Sequence, residues 1–281
     1  MSRPSSTIAP ATRPVVLVTG AAKRVGRDIA IEMARSGFDV AVHYRNSADA
    51  AHATVAELER CGARAVAFQA DLSDEAACRA LVPAVAAHFQ RLDAVVNNAS
   101  TFEYDTPATF SVAAMEAHWR ANTAPAVLLA QALHTHLSGR PDVGREVGCV
   151  VNLLDQKLWN PNPDYFSYTL SKAALQAATV MLAQALAPRL RVCGVAPGVT
   201  LLSGSMGADE FAQAHQMTPL KRTSTPADIA RAVRFLIESP AITGTTLLVD
   251  GGQHLTAQPR DVMFLANPDK PSQPPPHAMP D

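Results

Sequence analysis

The stretch VVLVTGAAKRVGRDIA, residues 15–30, decides the fold class of this chain. An apolar, β-branched run leads into Thr19 and Gly20, then a short polar turn, then Gly26 at the start of an amphipathic segment. This order predicts a buried strand, a tight turn and a helix. Where side chains are missing in such a turn, backbone N–H groups can approach a pyrophosphate at the positive end of the helix. The spacing T-G-x-x-x-R-x-G has Arg24 where a glycine is commoner, so an ordinary glycine turn is the alternative.

The rest of the chain repeats this alternation of strands and helices. Six more strand-like segments follow, with longer helical patterns between them: DVAVHYR, ARAVAFQADL, LDAVVNNAS, GCVVNLL, LRVCGVAP and TTLLVD. One of these helical patterns runs unbroken over residues 114–137. Strands that alternate with crossover helices predict a parallel sheet. We therefore predict one α/β domain over residues 14–256, a Rossmann-type doubly wound domain with a seven-stranded parallel sheet and helices on both faces.

Both ends of the chain are predicted to lie outside this domain. Residues 1–13 have no apolar core segment and are predicted to be a disordered arm. Residues 257–281 contain seven prolines, which remove backbone donors and disfavour helix, so they are predicted to be a Pro-rich C-terminal tail, mobile or draped over the surface. The sequence contains no run of about 18 apolar residues, so no membrane span is indicated.

Composition narrows the class of partner. The formal net charge is −1 and the pI about 6.8, with lysine and arginine scattered along the chain. Neither nucleic acid nor an anionic membrane surface is indicated, and a small soluble partner is favoured. The four cysteines lie far apart and have no metal-site spacing, so we predict no metal and a reducing, cytoplasmic location.

The end of the second predicted strand, VAVHYRNS at residues 40–47, indicates which dinucleotide would bind. An Asp or Glu at this place holds the ribose 2′-hydroxyl of NAD, but Arg45 and Ser47 stand here instead. A guanidinium and a hydroxyl suit a 2′-phosphate, because arginine forms paired, charge-assisted hydrogen bonds with phosphate. We predict NADPH over NADH. The alternative, a solvated loop charge at Arg45, leaves the missing acid unexplained.

A tyrosine and a lysine mark the predicted chemical end. Tyr168 and Lys172 are four residues apart on a predicted helix and therefore share one face. The pKa of a phenol is near 10, and a neighbouring ammonium would move it toward the working range, which would make Tyr168 a proton donor. The pair alone occurs by chance in many helices. Here it follows the nucleotide turn, the NNAS motif at 97–100 and Asn122.

In this order the motifs resemble the short-chain dehydrogenase/reductase family over nearly all of residues 14–256. They are TGAAKRVG, ADLS with Asp71, NNAS, Asn122, YTLSK, APG at 196–198 and VDGG at 249–252. The resemblance implies that Tyr168 is the catalytic acid, that Lys172 binds the nicotinamide ribose and tunes Tyr168, and that Asn122 supports a proton-relay water. It also implies a homotetramer. The cofactor-binding residues implied are Gly20, Lys23, Arg24, Val25, Gly26, Tyr44, Arg45, Asn46, Ser47, Asp71, Leu72, Asn98, Ala99, Ser100, Pro197 and Gly198.

One catalytic position departs from the family pattern. The family's usual serine, which polarises a substrate carbonyl, falls thirteen positions before the tyrosine, and that position is Asp155. A carboxylate repels a developing alkoxide, whereas it suits a ring that carries amino and N–H donors and can pass a proton to a ring nitrogen. The acid therefore predicts a C=N substrate. The alternative is a solvated loop acid.

The branch of the family that carries this aspartate is the pteridine reductases, with the bacterial dihydromonapterin and dihydrofolate reductases of the same fold. Arg24, the HYR segment and NNAS followed by Phe102 also match that branch, where the aromatic stacks on the pterin. Predicted substrate contacts are Arg24, Phe102, Asp155 and Tyr168; for Phe102 alone, loop packing is the alternative. The main hypothesis is an NADPH-dependent pterin reductase. An ordinary carbonyl reductase and a non-catalytic NADP-binding regulator are the rivals.

Overall fold

In the computed structural model, which describes residues 13–140, 147–202 and 207–266, seven parallel strands form one sheet. The strands are β1 (Val15–Val18), β2 (Asp39–Tyr44), β3 (Ala65–Gln69), β4 (Ala94–Asn97), β5 (Gly148–Leu153), β6 (Leu190–Pro197) and β7 (Thr246–Val249). Their order in the sheet is β3-β2-β1-β4-β5-β6-β7. The predicted fold class, a single doubly wound domain with a seven-stranded parallel sheet, is confirmed.

Helices cover both faces of the sheet. They are α1 (Arg24–Arg35), α2 (Ala48–Arg60), α3 (Glu75–Phe89), α4 (Val112–His118), α5 (Ala124–Ser138), α6 (Phe166–Ala185), α7 (Ala208–Gln216), α8 (Pro226–Glu238) and α9 (Val262–Leu265). Side chains of β1 alternate between two cores: Val16 and Val18 pack with α1, α2 and α8, whereas Val15 and Leu17 pack with α3, α5 and α6. Burial of each aliphatic side chain contributes roughly 1.5–3 kcal/mol to the stability of the fold. The two packed layers therefore hold the sheet in place.

The sheet topology places a crevice at the carboxyl end of β1. Strand β1 pairs with β2 on one side and with β4 on the other, so the winding direction reverses there. Ligands of open α/β sheets bind at such a switch point. The segments that follow β1, β4 and β5 carry Gly20, Asn98 and Asp155, and all three reach this edge.

The helix predicted over residues 114–137 differs from the structure. It is interrupted by a π-helical turn at Trp119–Thr123 that separates α4 from α5. Pro125 lies in the first turn of α5, where its missing N–H costs no hydrogen bond, so a new helix starts there. The π turn holds Asn122 inward, only 3% exposed. Such turns often occur at functional sites.

The ordered domain also extends past residue 256, where the sequence pattern predicted a tail. Residues 257–266 pack against the domain, and the apolar stretch from Val262 to Leu265 forms α9. Asp261 caps this helix by accepting a hydrogen bond from the Met263 N–H at 3.1 Å. The prediction of a tail relied on the proline content of the whole segment. The apolar stretch inside it contains no proline and forms a helix that packs on the domain. Residues 267–281 and most of the predicted N-terminal arm lie outside the described residues.

Candidate active site

The turn after β1 is built from glycines whose missing side chains are required. Gly20 has φ of 63°, in the left-handed region that favours glycine. At Gly26 an added Cβ would lie 2.3 Å from the Gly20 oxygen, so only glycine allows α1 to pack this closely. Lys23, which precedes α1, makes no side-chain cap. Backbone N–H groups at the helix start are therefore available to an anion such as a pyrophosphate.

The loop after β4 is tied to this turn. Thr19 Oγ1 accepts hydrogen bonds from the N–H groups of Asn98 at 2.9 Å and Ala99 at 3.0 Å. The Asn98 amide donates to the Thr19 oxygen at 2.9 Å and, more weakly, to the Gly20 oxygen at 3.3 Å. The NNAS motif thus fixes the shape of the phosphate turn. The side-chain amide of Asn98 has a structural role there.

His43 is a site residue that sequence reasoning missed. Its Nδ1 accepts from the Gly20 N–H at 3.1 Å and its Nε2 lies 3.0 Å from the Ala70 oxygen, so Nε2 carries the proton. Burial lowers the pKa of His43, which keeps the ring neutral and able to accept from Gly20. The available signal was a histidine inside the apolar run of β2, where a buried polar ring needs a partner.

A cavity of about 550 Å³ runs from the glycine turn to Asp155 and Tyr168. The predicted site residues that line it are Gly20, Lys23, Arg24, Val25, Gly26, Arg45, Asp71, Leu72, Asn98, Ala99, Ser100, Phe102, Asp155 and Tyr168. Lining residues without a predicted role are His43, Ser73, Thr101 and Ala121. Predicted residues that are not among the lining residues are Tyr44, Asn46, Ser47, Asn122, Lys172, Pro197 and Gly198.

The end of β2 supplies positive charge to the cavity. Arg45 is exposed at the rim, and its charge is one cause of a lowered pKa at Asp71. The larger causes are the hydrogen bonds that Asp71 accepts from the Ser73 hydroxyl at 2.7 Å and the Ser73 N–H at 3.0 Å. Asp71 therefore stays ionised, and Arg45 is available to bind an anion.

Asp155 and Tyr168 form a hydrogen-bonded pair at the other end of the cavity. The Tyr168 hydroxyl donates to Asp155 Oδ2 at 2.9 Å, and the Lys157 N–H donates to Asp155 Oδ1 at 2.9 Å. Burial raises the pKa of Asp155, against the opposing effect of these two donors. The pair can therefore hold and exchange a proton beside the cavity.

The expected effect of Lys172 on Tyr168 is corrected by the structure. Sequence reasoning predicted that the ammonium lowers the tyrosine pKa toward neutrality, whereas burial and the Asp155 carboxylate raise the pKa of Tyr168 well above its ordinary value. Lys172 Nζ donates to the Leu153 oxygen at 2.7 Å and lies 5.7 Å from the centre of the Tyr168 ring. Burial also lowers the pKa of Lys172 to about 8. Tyr168 is accordingly protonated, as a proton donor must be.

Asn122 lies behind the cavity wall. Its Oδ1 accepts from the Thr101 N–H at 2.7 Å, and its Nδ2 donates to the Thr101 oxygen and the Ser171 hydroxyl, each at 3.0 Å. These bonds tie the loop after β4 to α6. The predicted relay water at Asn122 stays a prediction.

Aromatic rings form the wall beside Tyr168. The Phe102 ring stacks on Tyr165 with centroids 4.0 Å apart and meets the edge of Tyr168 at 4.7 Å. Phe102 is 39% exposed and lines the cavity, so it offers apolar surface to a flat ligand. The Arg24 guanidinium donates to the Leu202 oxygen at 2.8 Å and connects the glycine turn to the segment after β6.

In the described part of the chain, no group of His, Cys, Asp and Glu side chains could hold a metal ion, and no helix is long and apolar enough to cross a membrane.

Comparisons with known proteins agree with this geometry. A family profile described as enoyl-(acyl carrier protein) reductase matches residues 20–254. Two curated relatives are each 34% identical: the granaticin polyketide synthase putative ketoacyl reductase 2 of Streptomyces violaceoruber, over 86% of this chain and 96% of its own, and pteridine reductase 1 of Leishmania tarentolae, over 87% and 98%.

A solved structure extends the likeness to the fold. FolM alternative dihydrofolate reductase 1 from Brucella suis, in complex with NADP, is 39% identical with a TM-score of 0.81, covering 87% of this chain and 96% of that one. The matched profile spans both the glycine turn and the Asp155–Tyr168 pair. The chain belongs to the short-chain dehydrogenase/reductase family and has pteridine reductase and alternative dihydrofolate reductase relatives.

Proposed function

We propose that this protein is an NADPH-dependent reductase of a C=N bond in pterins, converting a dihydropterin to a tetrahydropterin. Oxidised pterins and dihydrofolate are further candidate substrates. The observation that carries the proposal is the buried hydrogen bond from the Tyr168 hydroxyl to Asp155 Oδ2, at 2.9 Å. An acid stands here where the family's ketone reductases have a serine hydroxyl.

The pair suits C=N reduction because the reaction needs one proton on nitrogen. NADPH, when bound, would supply the hydride for the adjacent carbon. Tyr168 is held protonated and can donate to the ring nitrogen. Asp155, which accepts the hydrogen bond of the tyrosine, can then take up a proton from solvent and pass it to the phenolate. An ionised Asp155 also accepts hydrogen bonds from amino and ring N–H groups. This acceptor role does not help a ketone, because a carboxylate repels the developing alkoxide.

The residues around the glycine turn fit NADPH. The uncapped start of α1 and the closely packed Gly20 and Gly26 would hold the pyrophosphate. Arg45, with no acid at the end of β2, would bind the 2′-phosphate. The Brucella relative in complex with NADP supports this choice.

The aromatic wall fits a flat, π-rich substrate. Tyr165 fixes one face of Phe102, so the ring is held in place before a pterin stacks beside it. Arg24, which also lines the cavity, would supply donors for polar edges of the ring system.

Carbonyl reduction is the second candidate, because the ketoacyl reductase relative is as identical as the pteridine reductase. The two are separated by an NADPH-oxidation screen of biopterin, dihydrobiopterin, dihydromonapterin and dihydrofolate beside a panel of ketones. Tyr168→Phe is the control that removes activity belonging to this site. Turnover of ketones with none of pterins would overturn the proposal. No turnover of either class would favour a non-catalytic regulator.

Cofactor choice is tested in the same assay. We expect kcat/KM to be much higher with NADPH than with NADH, and Arg45→Asp to weaken NADPH use through like-charge repulsion while sparing NADH. Equal values for both cofactors in the parent would contradict the role of Arg45. The homotetramer and the cytoplasmic location stay predictions.

A further inference from the structure

The segment at residues 257–266, called here the C-terminal segment, is joined by hydrogen bonds to the loop that begins at Asp155. Asp164, 1% exposed, accepts hydrogen bonds from Arg260 Nε at 2.8 Å and Nη2 at 2.9 Å, and from the Asp261 N–H at 2.7 Å. The Tyr104 hydroxyl donates to the same carboxylate at 3.1 Å. Fixing Asp164 fixes the end of the loop that begins at Asp155.

Lys157 connects this segment to the catalytic pair. Its Nζ donates to the main-chain carbonyl oxygen of Asp164 at 2.6 Å and lies 3.3 Å from Asp261 Oδ2, and its side chain is only 5% exposed. Its backbone N–H is the donor to Asp155 Oδ1. One residue thus contacts the acid through its backbone and Asp261 through its ammonium.

The charges along this path are ordered as Asp155, Lys157 and Asp261. Lys157 is buried, so it is taken out of water and its attraction for neighbouring carboxylates is little screened. The negative charge of Asp261, beside the Lys157 ammonium, offsets part of the positive potential that Lys157 produces at Asp155. Without Asp261 that offset would be lost, and Asp155 would hold a proton less readily.

We propose that Asp261 is a positioning residue of the active site, which acts through Lys157 to fix both the geometry and the proton affinity of the Asp155–Tyr168 pair. This inference rests on the proposed function, since it assumes that the pair is the site's proton relay. It assigns to the C-terminal segment a part in the chemistry as well as in the fold.

Electrostatics around the pair agree with this geometry. Burial is the main cause that raises the pKa of Asp155, and the negative charge of Asp261 adds to it, while Lys157 opposes it. Asp261 likewise adds to the raised pKa of Tyr168, after burial and Asp155. The titratable or charged groups of the elements packed around Asp155 are Tyr168 and Lys172 on α6, Lys157 beside it, His118 on α4, Tyr165 and Asp164 in the loop, and Arg260 and Asp261 in the C-terminal segment.

The test compares the parent with Asp261→Asn. Asparagine keeps an oxygen that can accept from the Met263 N–H, so α9 keeps its cap while the charge is lost. Carbon-13 NMR of aspartate-labelled, cofactor-free protein follows the Asp155 carboxyl across pH, with the resonance assigned by its loss in Asp155→Asn. We expect the Asp155 midpoint to move to lower pH in Asp261→Asn and to return toward the parent value in Asp261→Glu. The acid limb of kcat/KM for the dihydropterin should move in the same direction.

Asp228→Asn is the matched control, because Asp228 is also in an ion pair, with Arg222 at 2.8 Å, and belongs to the capping box of α8, outside the residues that line the cavity. It should lower the melting temperature and leave the Asp155 midpoint in place. An unchanged midpoint in Asp261→Asn overturns the proposal. A shifted midpoint in a protein that reduces no pterin overturns the proposed function and leaves the positioning role standing.

Discussion

At the scale of single residues, the chemistry of this site depends on which group faces Tyr168. The Asp155 carboxylate accepts a hydrogen bond from the Tyr168 hydroxyl. Burial and the charge of this carboxylate together raise the pKa of Tyr168. A serine hydroxyl at the same place could donate to a carbonyl oxygen but could not hold a negative charge. We therefore expect the identity of residue 155 to select between substrates that need a donor and substrates that need an acceptor.

Substitution of Asp155 tests this selection. Asp155→Asn keeps the size but reverses part of the hydrogen-bond pattern and removes the proton exchange, so kcat/KM for dihydropterin should fall by roughly 10² or more. Asp155→Ser should also lose pterin reduction, with weak ketone reduction as the expected gain. Steady-state NADPH oxidation measures both. Variants as fast as the parent would show that Asp155 is only a loop acid.

Lys172 gives the site a pH dependence at the alkaline side. Burial lowers its pKa to about 8, so the ammonium is present below that pH and is lost as pH rises through it. If Lys172 binds the cofactor ribose, NADPH affinity should weaken between pH 7 and about 9. Fluorescence titration of NADPH at a series of pH values measures this. A dissociation constant that stays flat across that interval would remove Lys172 from the cofactor contacts or show that the bound cofactor restores its charge.

At the scale of elements, the strand, turn and helix that begin the domain depend on close backbone packing. In Gly26→Ala the new Cβ would lie 2.3 Å from the Gly20 oxygen and 2.5 Å from Asn98 Nδ2. We expect a loss of roughly 1–3 kcal/mol in the free energy of unfolding, as for other overpacked sites, and a larger relative loss of NADPH affinity because the phosphate turn must shift. Chemical denaturation and cofactor titration measure the two effects.

Gly139→Ala is the control for that experiment. Gly139 ends α5 with an ordinary φ of −81°, and the nearest atoms to an added Cβ are 3.7 Å away. The same substitution there should leave NADPH affinity unchanged and stabilise the fold by about 0.4–1 kcal/mol, because alanine restricts the unfolded chain. Equal effects at both glycines would mean that close packing at Gly26 is not required.

The elements also show what a single sequence can and cannot predict. The seven strands were predictable because side chains of a buried parallel strand are apolar on both faces, as in β1, β4 and β5. The π turn before Pro125 was not, since one extra residue in a helix leaves the periodicity on either side almost intact. His43 was missed because its role depends on Gly20, a contact between two strand ends that are distant in sequence.

At the scale of the whole molecule, the far end of the described chain stabilises the centre of the site. The C-terminal segment packs Phe264 against Tyr104, and Tyr165 in turn supports Phe102 at the cavity. Composition alone predicted a tail here, because prolines flank a stretch of four apolar residues, three of which are buried against the domain. The geometry of the site and the last described residues are therefore linked through one buried loop.

The ion pair between Arg260 and Asp164 tests that link. Burial opposes the ionisation of Asp164, yet hydrogen bonds from Arg260 and the Asp261 N–H hold its pKa below the ordinary value. Arg260→Gln leaves a buried carboxylate with fewer donors, so the free energy of unfolding at pH 7 should fall by about 1–3 kcal/mol. Arg234→Gln removes an exposed pair with Glu238 and should change the unfolding midpoint little.

The pH dependence of this loss has a definite sign. A carboxyl with a lowered pKa stabilises the folded state above its unfolded pKa of about 4, and this contribution is lost as pH falls through the folded value. Parent and Arg260→Gln should therefore differ at pH 7 and converge in acid, as measured by urea denaturation at both pH values. KM for the dihydropterin should rise in the variant, because Tyr165 and Phe102 lose support. A variant with parental stability and KM would mean that the C-terminal segment lies on the domain without holding the site.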